Sequence, residues 1–358
     1  MSRPALSVAF LTSARSWRGS GVSLFHIASG LTARGHKVHM LAGEDPVVAA
    51  FRERGLASSR VPTGRTSVAS ARMLARSLHT ISADCLMVDR PRDLRLGALA
   101  SLSYPVAVIN RYNLSRCTPP RDLLSRLAYL AVRLTIFNSE TSARRALAQA
   151  RYIRRRPHRV IRNGVGPEFH PDAQAAEDFR ARYDLAGREF ILAVGSLTAD
   201  KRYDFLFDVL TRLEWKAPLL VICGAGPLAE ELRARAAALE LDARFLGLVP
   251  AELLPGAYSA AIALVHACEI ETFGLSVLEA MACATPILAV DGGSVPEVLG
   301  GAGVLSPPND PQQFSVHLRE LLDHPHQRAA LGEAARRRAQ DFSLNAMQAA
   351  YSEAIESI

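Results

Sequence analysis

Two doubly wound α/β domains in tandem are the fold this sequence predicts, and three observations predict it. At 358 residues the chain is too long for one ordinary hydrophobic core. Short apolar runs alternate with helical patterns from one end to the other. The formal charge also changes sign part-way. Residues 1–170 carry 27 basic and 9 acidic groups, a net of +18, whereas residues 171–358 carry 15 and 26, a net of −11. Such a split suits two domains with different partners.

The first half opens on the strand LSVAFLT (6–12) and the loop SARSWRGSG. VSLFHIASGLTARG (22–35) then has apolar residues at helical spacing and Gly35 as a stop. HKVHMLAG (36–43) reads as a strand, VVAAFRERG (47–55) as a helix ending at Gly55, and SARMLARSLHTISA (70–83) as another helix. DCLMVDR (84–90), PVAVIN (105–110) and LTIFNS (134–139) are strands, with the helical RDLLSRLAYLAV (121–132) between the last two. Continuous apolar strands separated by helices imply a parallel sheet covered on both faces.

The second half keeps the rhythm. FILAVGS, PLLVICG, ARFLG, IALVHA and PILAV are strands; YDFLFDVLTRL, PLAEELRARAAALE, AELLPGAYSAA and FGLSVLEAMACA are the helices between them. DPQQFSVHLRELLDH and HQRAALGEAARRRAQDF follow as helices. The junction falls near RRRPHRVIRNGVGPEFHP. A cleft between two such domains is the expected ligand site.

Composition narrows the class. Apolar residues make up 49% and charged residues 22%, which is globular. No run of about 18 apolar residues suggests a membrane span. MSRPALSVAFLTSARSW reads as a strand and not as a secretory signal. The five cysteines (Cys85, Cys117, Cys223, Cys268 and Cys283) are odd in number and form no close pair. That pattern suits a reducing cytoplasm and speaks against a disulfide framework or a zinc site. The basic half could meet anionic lipid headgroups, an acidic acceptor or nucleic acid. Arginine is also simply abundant, since only three of the 42 basic residues are lysine.

Four stretches could carry chemistry. LLVICGAGPLAEEL contains Gly224, Gly226 and Ala229 in a GxGxxA pattern, with Glu240 and Asp242 further on. Pro227 falls inside the turn that would wrap a pyrophosphate, and the strand is not the first of its domain, so a dinucleotide site is disfavoured. VGSLTADKRYDF places Gly195, Ser196 and Lys201 just past a strand, where a lysine can neutralise phosphate or merely face solvent. Gly19, Ser20 and Gly21 lie between the first strand and the first helix, suiting either an anion contact or an ordinary turn. In ETFGLSVLE, Glu271 precedes a helix whose free amides lie around Gly274 to Ser276, and Glu279 sits inside it. Two carboxylates about a helix N-terminus suit a grip on hydroxyl pairs; a capping acid plus a surface acid is the alternative.

Glu-x7-Glu about a Phe-Gly pair resembles the mark of the family 4 retaining glycosyltransferases of the GT-B fold. GSGVSLFHIASGLTARGHKVHML, FNSETSARRAL, VIRNGVGPEFHP, VGSLTADK, VICGAGPL, FLGLVP and MACATPILAVDGGSVPEVLGGAGVLSPPND recur in family order over nearly the whole chain. The resemblance implies two tandem Rossmann-like domains: an acceptor domain of residues 1–164, completed by a crossing helix at 343–358, and a nucleotide-sugar domain of residues 165–342. Glu271 would hold hydroxyls of the donor sugar, Glu279 the ribose, and Lys201 with Ser196 the diphosphate. Amides of Phe273, Gly274, Leu275 and Ser276 would meet sugar and phosphate, and Leu248 the base. Gly19, Ser20 and Gly21 would approach phosphate or acceptor.

Departures from the family pattern matter. Ser196 stands where arginine is usual, Ala267-Cys268 replaces Pro-Ser, and Ala284 opens what is usually Gly-Thr-Pro. No histidine follows the middle strands of the first domain, where VAVINRYN offers Asn110 or Arg111. Arg111 could stabilise leaving-group charge but does not deprotonate to act as a base.

The implied activity is transfer of a sugar, with retention, from a UDP- or GDP-linked donor to an acceptor hydroxyl in glycolipid, polysaccharide or small-glycoside synthesis. The acceptor is expected to be anionic or lipid-linked, with no nucleic acid partner. The expected location is the cytoplasm, with contact at the inner membrane face through the basic domain. No cofactor is expected, and the absence of Asp-x-Asp or His/Cys metal spacing points to metal independence. A sugar-nucleotide epimerase of the same fold and a non-catalytic nucleotide-sugar scaffold stay open as rivals.

Overall fold

The computed structural model describes residues 5–17, 19–113, 122–213 and 217–358. The chain divides into two compact units, Met1–Gly164 with Leu344–Ile358, and Val165–Ser343. Cys117, Arg18 and Arg121, and the first four residues of the segment read as no secretory signal, lie outside the described residues.

In the first unit the strands are β1 Ser7–Thr12, β2 Lys37–Ala42, β3 Ser58–Arg60, β4 Cys85–Val88, β5 Ala107–Tyr112, β6 Val132–Phe137 and β7 His158–Val160. They form one sheet in the order β3-β2-β1-β4-β5-β6-β7, and every described pairing is parallel. Side chains alternate between faces. Val8 and Phe10 join one core with Met40, Met87 and Ile136, while Ala9 and Leu11 join the other with Leu41, Leu86 and Phe137. Both faces are therefore apolar, which is why the strands read as continuous apolar runs.

The second unit holds β8 Phe190–Val194, β9 Leu219–Cys223, β10 Ala243–Gly247, β11 Ala263–His266, β12 Ile287–Val290 and β13 Val304–Ser306. Their order is β10-β9-β8-β11-β12-β13, again parallel. The sheet order reverses between β8 and β11, the place where doubly wound sheets bind ligands at strand carboxyl ends.

Helix starts follow local chemistry. The side chains of Ser67, Ser139, Asp172 and Asp310 each accept a hydrogen bond from a first-turn amide. The segment expected as one helix over 121–132 is a helix Leu123–Ala128, a short 3-10 turn Tyr129–Ala131 and the start of β6. Val132 is needed in the sheet, where it pairs with Val108, and that ends the helix. The three-residue strands β3, β7 and β13 lie at or near sheet edges and are too short to show a period.

The last helix, Leu344–Glu356, belongs to the first unit and packs on the helix Gly19–Ala33. Gln348 Nε2 donates to the His26 carbonyl at 2.9 Å, and Arg34 donates to Asn345 Oδ1 at 2.7 Å. Gly30 makes this seat possible, because a Cβ there would lie 2.5 Å from Gln348 Cβ. Gly30→Ala should thus destabilise the protein by about 1–3 kcal/mol through overpacking, although alanine is the better helix former by up to about 1 kcal/mol. Urea denaturation reads the sign; a more stable variant would show that Gly30 does not seat the helix.

Candidate functional site in the second unit

The strand tips of the second unit carry most of the residues singled out from sequence. β8 runs into Gly195 and Ser196, and a 3-10 turn at Ala199–Lys201 aims Lys201 back towards the tip of β11. Lys201 Nζ donates to Glu271 Oε2 at 2.5 Å, both side chains being mostly buried. Burial opposes the charge on Lys201, yet the Glu271 carboxylate outweighs it and holds the ammonium above its ordinary pKa. Burial likewise opposes charge on Glu271, but Lys201 and His266 hold its pKa below the usual range. The pair is fully ionic at neutral pH.

A second ion pair lies beside the first. Arg202, in the left-handed region at φ +54°, pairs through Nη1 with Glu269. The turn after β8 and the loop after β11 are thus clasped twice. Behind them the glycines act as spacers. A Cβ on Gly224 would lie 1.8 Å from the Gly195 carbonyl oxygen, and one on Gly226 would lie 2.3 Å from that of Leu197. The GxGxxA pattern therefore serves contact between the protein's own loops, with Leu197 N bonded to Ala225 O at 3.1 Å. Gly293 plays the same part under Glu271, since a Cβ would lie 2.2 Å from the Glu271 carbonyl oxygen, which accepts a 2.9 Å bond from Ser294 N.

The Glu271 loop turns through Phe273, which is buried, and Gly274, which is left-handed at φ +94°. The helix Leu275–Ala282 starts there, leaving Leu275 and Ser276 half-buried in its first turn. Glu279 lies on that helix and accepts a 2.7 Å hydrogen bond from Tyr258 Oη. Burial pushes its pKa up to about 7, against the pull of the Tyr258 hydroxyl. Ser196 Oγ is 3.1 Å from Thr198 Oγ1, and Leu248, beyond β10, is 77% exposed.

His266, Cys268 and Glu271 also converge here, each with a ligand-capable atom within 4.8 Å of the others. No cysteine pair and no Asp-x-Asp announces this cluster; its signal in the sequence is His-x-Cys-x-x-Glu. Arg202, Glu269 and Tyr258 were missed as well. Nothing in residue type alone says that Tyr258, from the preceding helix, reaches Glu279.

Asn110 and Arg111 lie at the end of β5 in the first unit, as buried residues. Arg111 Nη1 donates to Asp89 Oδ1 at 3.0 Å, and Nη2 donates to Ser23 Oγ at 2.6 Å and to Asn163 Oδ1 at 3.3 Å. Asn110 Nδ2 donates to Tyr129 Oη at 2.9 Å. Gly19, Ser20 and Gly21 form the first turn of the helix Gly19–Ala33 rather than a loop before it, and Gly21 packs under the Trp17 ring.

Family models match both units. "Glycosyltransferase Family 4" matches residues 17–169 and "Glycosyl transferases group 1" matches residues 176–338. The chain belongs to the group 1 glycosyltransferase family. It is 31% identical over 186 residues to a GDP-mannose-dependent alpha-(1-6)-phosphatidylinositol monomannoside mannosyltransferase of Mycolicibacterium smegmatis, covering 48% of this chain and 49% of that one. It is 27% identical to the sulfoquinovosyl transferase of Arabidopsis thaliana over 74% of this chain and 54% of that one. The chain thus spans about half the length of the curated relatives it matches. Anabaena HepE, solved with UDP-glucose, superposes with a TM-score of 0.87 at 18% identity over 99% of this chain and 100% of that chain. That likeness establishes the GT-B fold of two Rossmann-like domains.

Glu279 gives the group 1 domain a pH signature. Its folded pKa of about 7 lies above its ordinary 4.5, so the folded state holds the proton longer. Stability should therefore be lost as pH rises from about 4.5 to about 7, and then level off. His266, pushed down to about 4 by burial, slopes the other way between about 4 and 6.5. The difference between wild type and Glu279→Gln isolates Glu279. Denaturation at pH 5 and pH 8 should show a pH-dependent difference between the two proteins, and parallel profiles would place Glu279 in ordinary water.

Proposed function

We propose that this protein is a retaining glycosyltransferase that moves a hexose from a UDP- or GDP-linked donor to an acceptor hydroxyl. One observation carries the reading: Lys201 and Glu271 form an ionic pair beside the N-terminus of the helix Leu275–Ala282. A nucleotide-diphosphate sugar presents phosphate to the ammonium and hydroxyls to the carboxylate, replacing each partner at once. Amides from Phe273 to Ser276 receive further oxygens, as helix N-termini do. Glu279, held by Tyr258, takes the ribose hydroxyls, and Leu248 meets the base. Ser196 leaves Lys201 as the principal cation of the clamp. The names of the relatives, which mention GDP-mannose in one case and UDP-glucose in another, support a nucleotide-linked hexose as donor.

The chemistry then asks for no protein nucleophile. The acceptor oxygen attacks the anomeric carbon on the face from which the diphosphate leaves. The bond from carbon to phosphate oxygen breaks, and the acceptor proton passes to the departing phosphate. The protein supplies charge stabilisation and alignment. Arg111 and Asn110 enter as positioning groups, because their polar ends are already engaged by Asp89, Ser23 and Tyr129. Gly19, Ser20 and Gly21 would serve the acceptor side. Metal plays no part in the transfer itself.

For the acceptor we propose a lipid-linked or anionic molecule met at a membrane face. Leu123, Leu124, Leu127 and Leu130 are each at least half exposed on one short segment, and Arg126 and Arg133 beside them are exposed too. Apolar side chains flanked by arginine suit an anionic interface without deep insertion. No helix among the described residues is long and apolar enough to cross a membrane.

Two measurements test this. With a donor panel, Glu279→Ala should raise donor KM, Lys201→Ala should weaken nucleoside-diphosphate binding roughly 10–100-fold, and Glu271→Ala should cut kcat on the order of a hundredfold. Release of an epimer in place of a glycoside would favour the epimerase, and unchanged kinetics in all three variants would remove the site assignment. In co-sedimentation with anionic vesicles at low salt, the double variant Leu124→Asp, Leu127→Asp should stay in the supernatant while wild type pellets. High salt should weaken wild-type binding, since exposed charges are screened beyond about 8 Å at physiological strength. Wild type that fails to pellet even at low salt excludes the membrane reading.

A further inference from the structure

We propose that His266, Cys268 and Glu271 form a site for a soft divalent cation, Zn²⁺ by its ligand chemistry, and that occupancy of this site withdraws Glu271 from the donor and switches transfer off. The three residues offer one imidazole, one thiol and one carboxylate, all within 4.8 Å. Around a tetrahedral ion with bonds of about 2.0–2.3 Å, neighbouring donor atoms stand roughly 3.3–3.8 Å apart. His266 Nε2 and Glu271 Oε2 are already 3.7 Å apart. Side-chain rotation of Cys268 and small shifts supply the rest.

A second observation points to a ligand. His266 is 5% exposed, and its Nε2 makes no hydrogen bond, although it is aimed at Glu271. A buried imidazole nitrogen left without a partner costs about 1–3 kcal/mol, and a metal ion would satisfy it. Cys268 Sγ is the third donor, on a buried side chain, and cysteine ligates a metal ion as the thiolate. Binding therefore exchanges its proton for the ion: the S–H bond breaks, the metal–thiolate bond forms, and one proton leaves to solvent.

The ligand set selects the ion. Thiolate with imidazole favours Zn²⁺ over Mg²⁺ or Mn²⁺, which prefer oxygen. The ion must also displace Lys201 from Glu271, because the ammonium holds the same oxygen at 2.5 Å. Zinc and the resting ion pair are then mutually exclusive. Inhibition rests on the reading of Glu271 as a donor contact; metal binding does not.

The test separates the two. Co²⁺ serves as the spectroscopic probe, because only a thiolate ligand gives a sulfur-to-cobalt charge-transfer band. Reduced, chelator-treated wild type should take up Co²⁺ with this band, and Zn²⁺ should displace it. Cys268→Ser should lose the band, and His266→Ala should weaken Co²⁺ binding about tenfold or more. Circular dichroism confirms that each variant is folded. No band in wild type, or the same band in Cys268→Ser, overturns the site. Zn²⁺ should also depress wild-type transfer reversibly, with recovery on chelation, while the ratio of activities with and without Zn²⁺ should stay near one in Cys268→Ser. A band with no loss of transfer keeps the metal site and refutes Glu271 as a donor contact.

Discussion

The site in the second unit depends on how closely its strand-tip loops approach one another. Parallel strands deliver every tip to the same edge, but loops of ordinary residues could not stack there. Gly224 and Gly226 admit the carbonyls of Gly195 and Leu197, and Gly292 and Gly293 admit the backbone of Glu269 and Glu271. At each contact a single Cβ would meet backbone closer than about 3 Å, and backbone cannot swing aside as a long side chain can. Lys201, Glu271 and the helix at Gly274 keep their relative places because of these absent side chains.

On that stack, under the proposed function, the charges are arranged for exchange more than for stability. Two ion pairs, Lys201–Glu271 and Arg202–Glu269, join the same two loops. A buried pair returns little net folding energy over an apolar substitute, since desolvation offsets the attraction. Removing one partner, however, strands a buried charge at about 3–5 kcal/mol. Under the proposed function, such a pair at the strand ends holds an ammonium and a carboxylate desolvated, ready for oxyanions and hydroxyls of the donor. The Arg111 network of the first unit is the contrast. Asp89, Ser23 and Asn163 engage its two Nη atoms and tie strand ends to the first helix, so its charge serves structure.

Much of this was legible in the sequence. The strands with continuous apolar runs, from residues 6–12 to 286–290, read correctly because both sheet faces are buried. Edge strands such as Ser58–Arg60 were illegible, being too short and too polar to show a period. Glu271, Glu279, Lys201 and Ser196 could be named from motif spacing, but their partners could not. Tyr258 meets Glu279 across 21 residues and Lys201 meets Glu271 across 70, and such contacts belong to the sheet order. Arg111 stood out as a charged residue at a strand end. Its burial could not be foreseen, because Asp89, Asn163 and Tyr351 come from three distant segments.

The resting ion pair bears on selectivity under the proposed function. A nucleoside diphosphate alone can take Lys201, but it leaves the Glu271 carboxylate desolvated and without its cation. A free sugar can take Glu271, but it leaves the ammonium unpaired. Each half-ligand must bear the cost of breaking the pair, whereas an intact nucleotide sugar satisfies both ends in one event. Phosphate and sugar contacts would then be cooperative, so that the intact donor binds more tightly than its two fragments would suggest. Once transfer is complete, the diphosphate holds only one half of the site. Lys201 and Glu271 can re-pair as it leaves, and the electrostatic term that resisted partial ligands on entry favours release of the product.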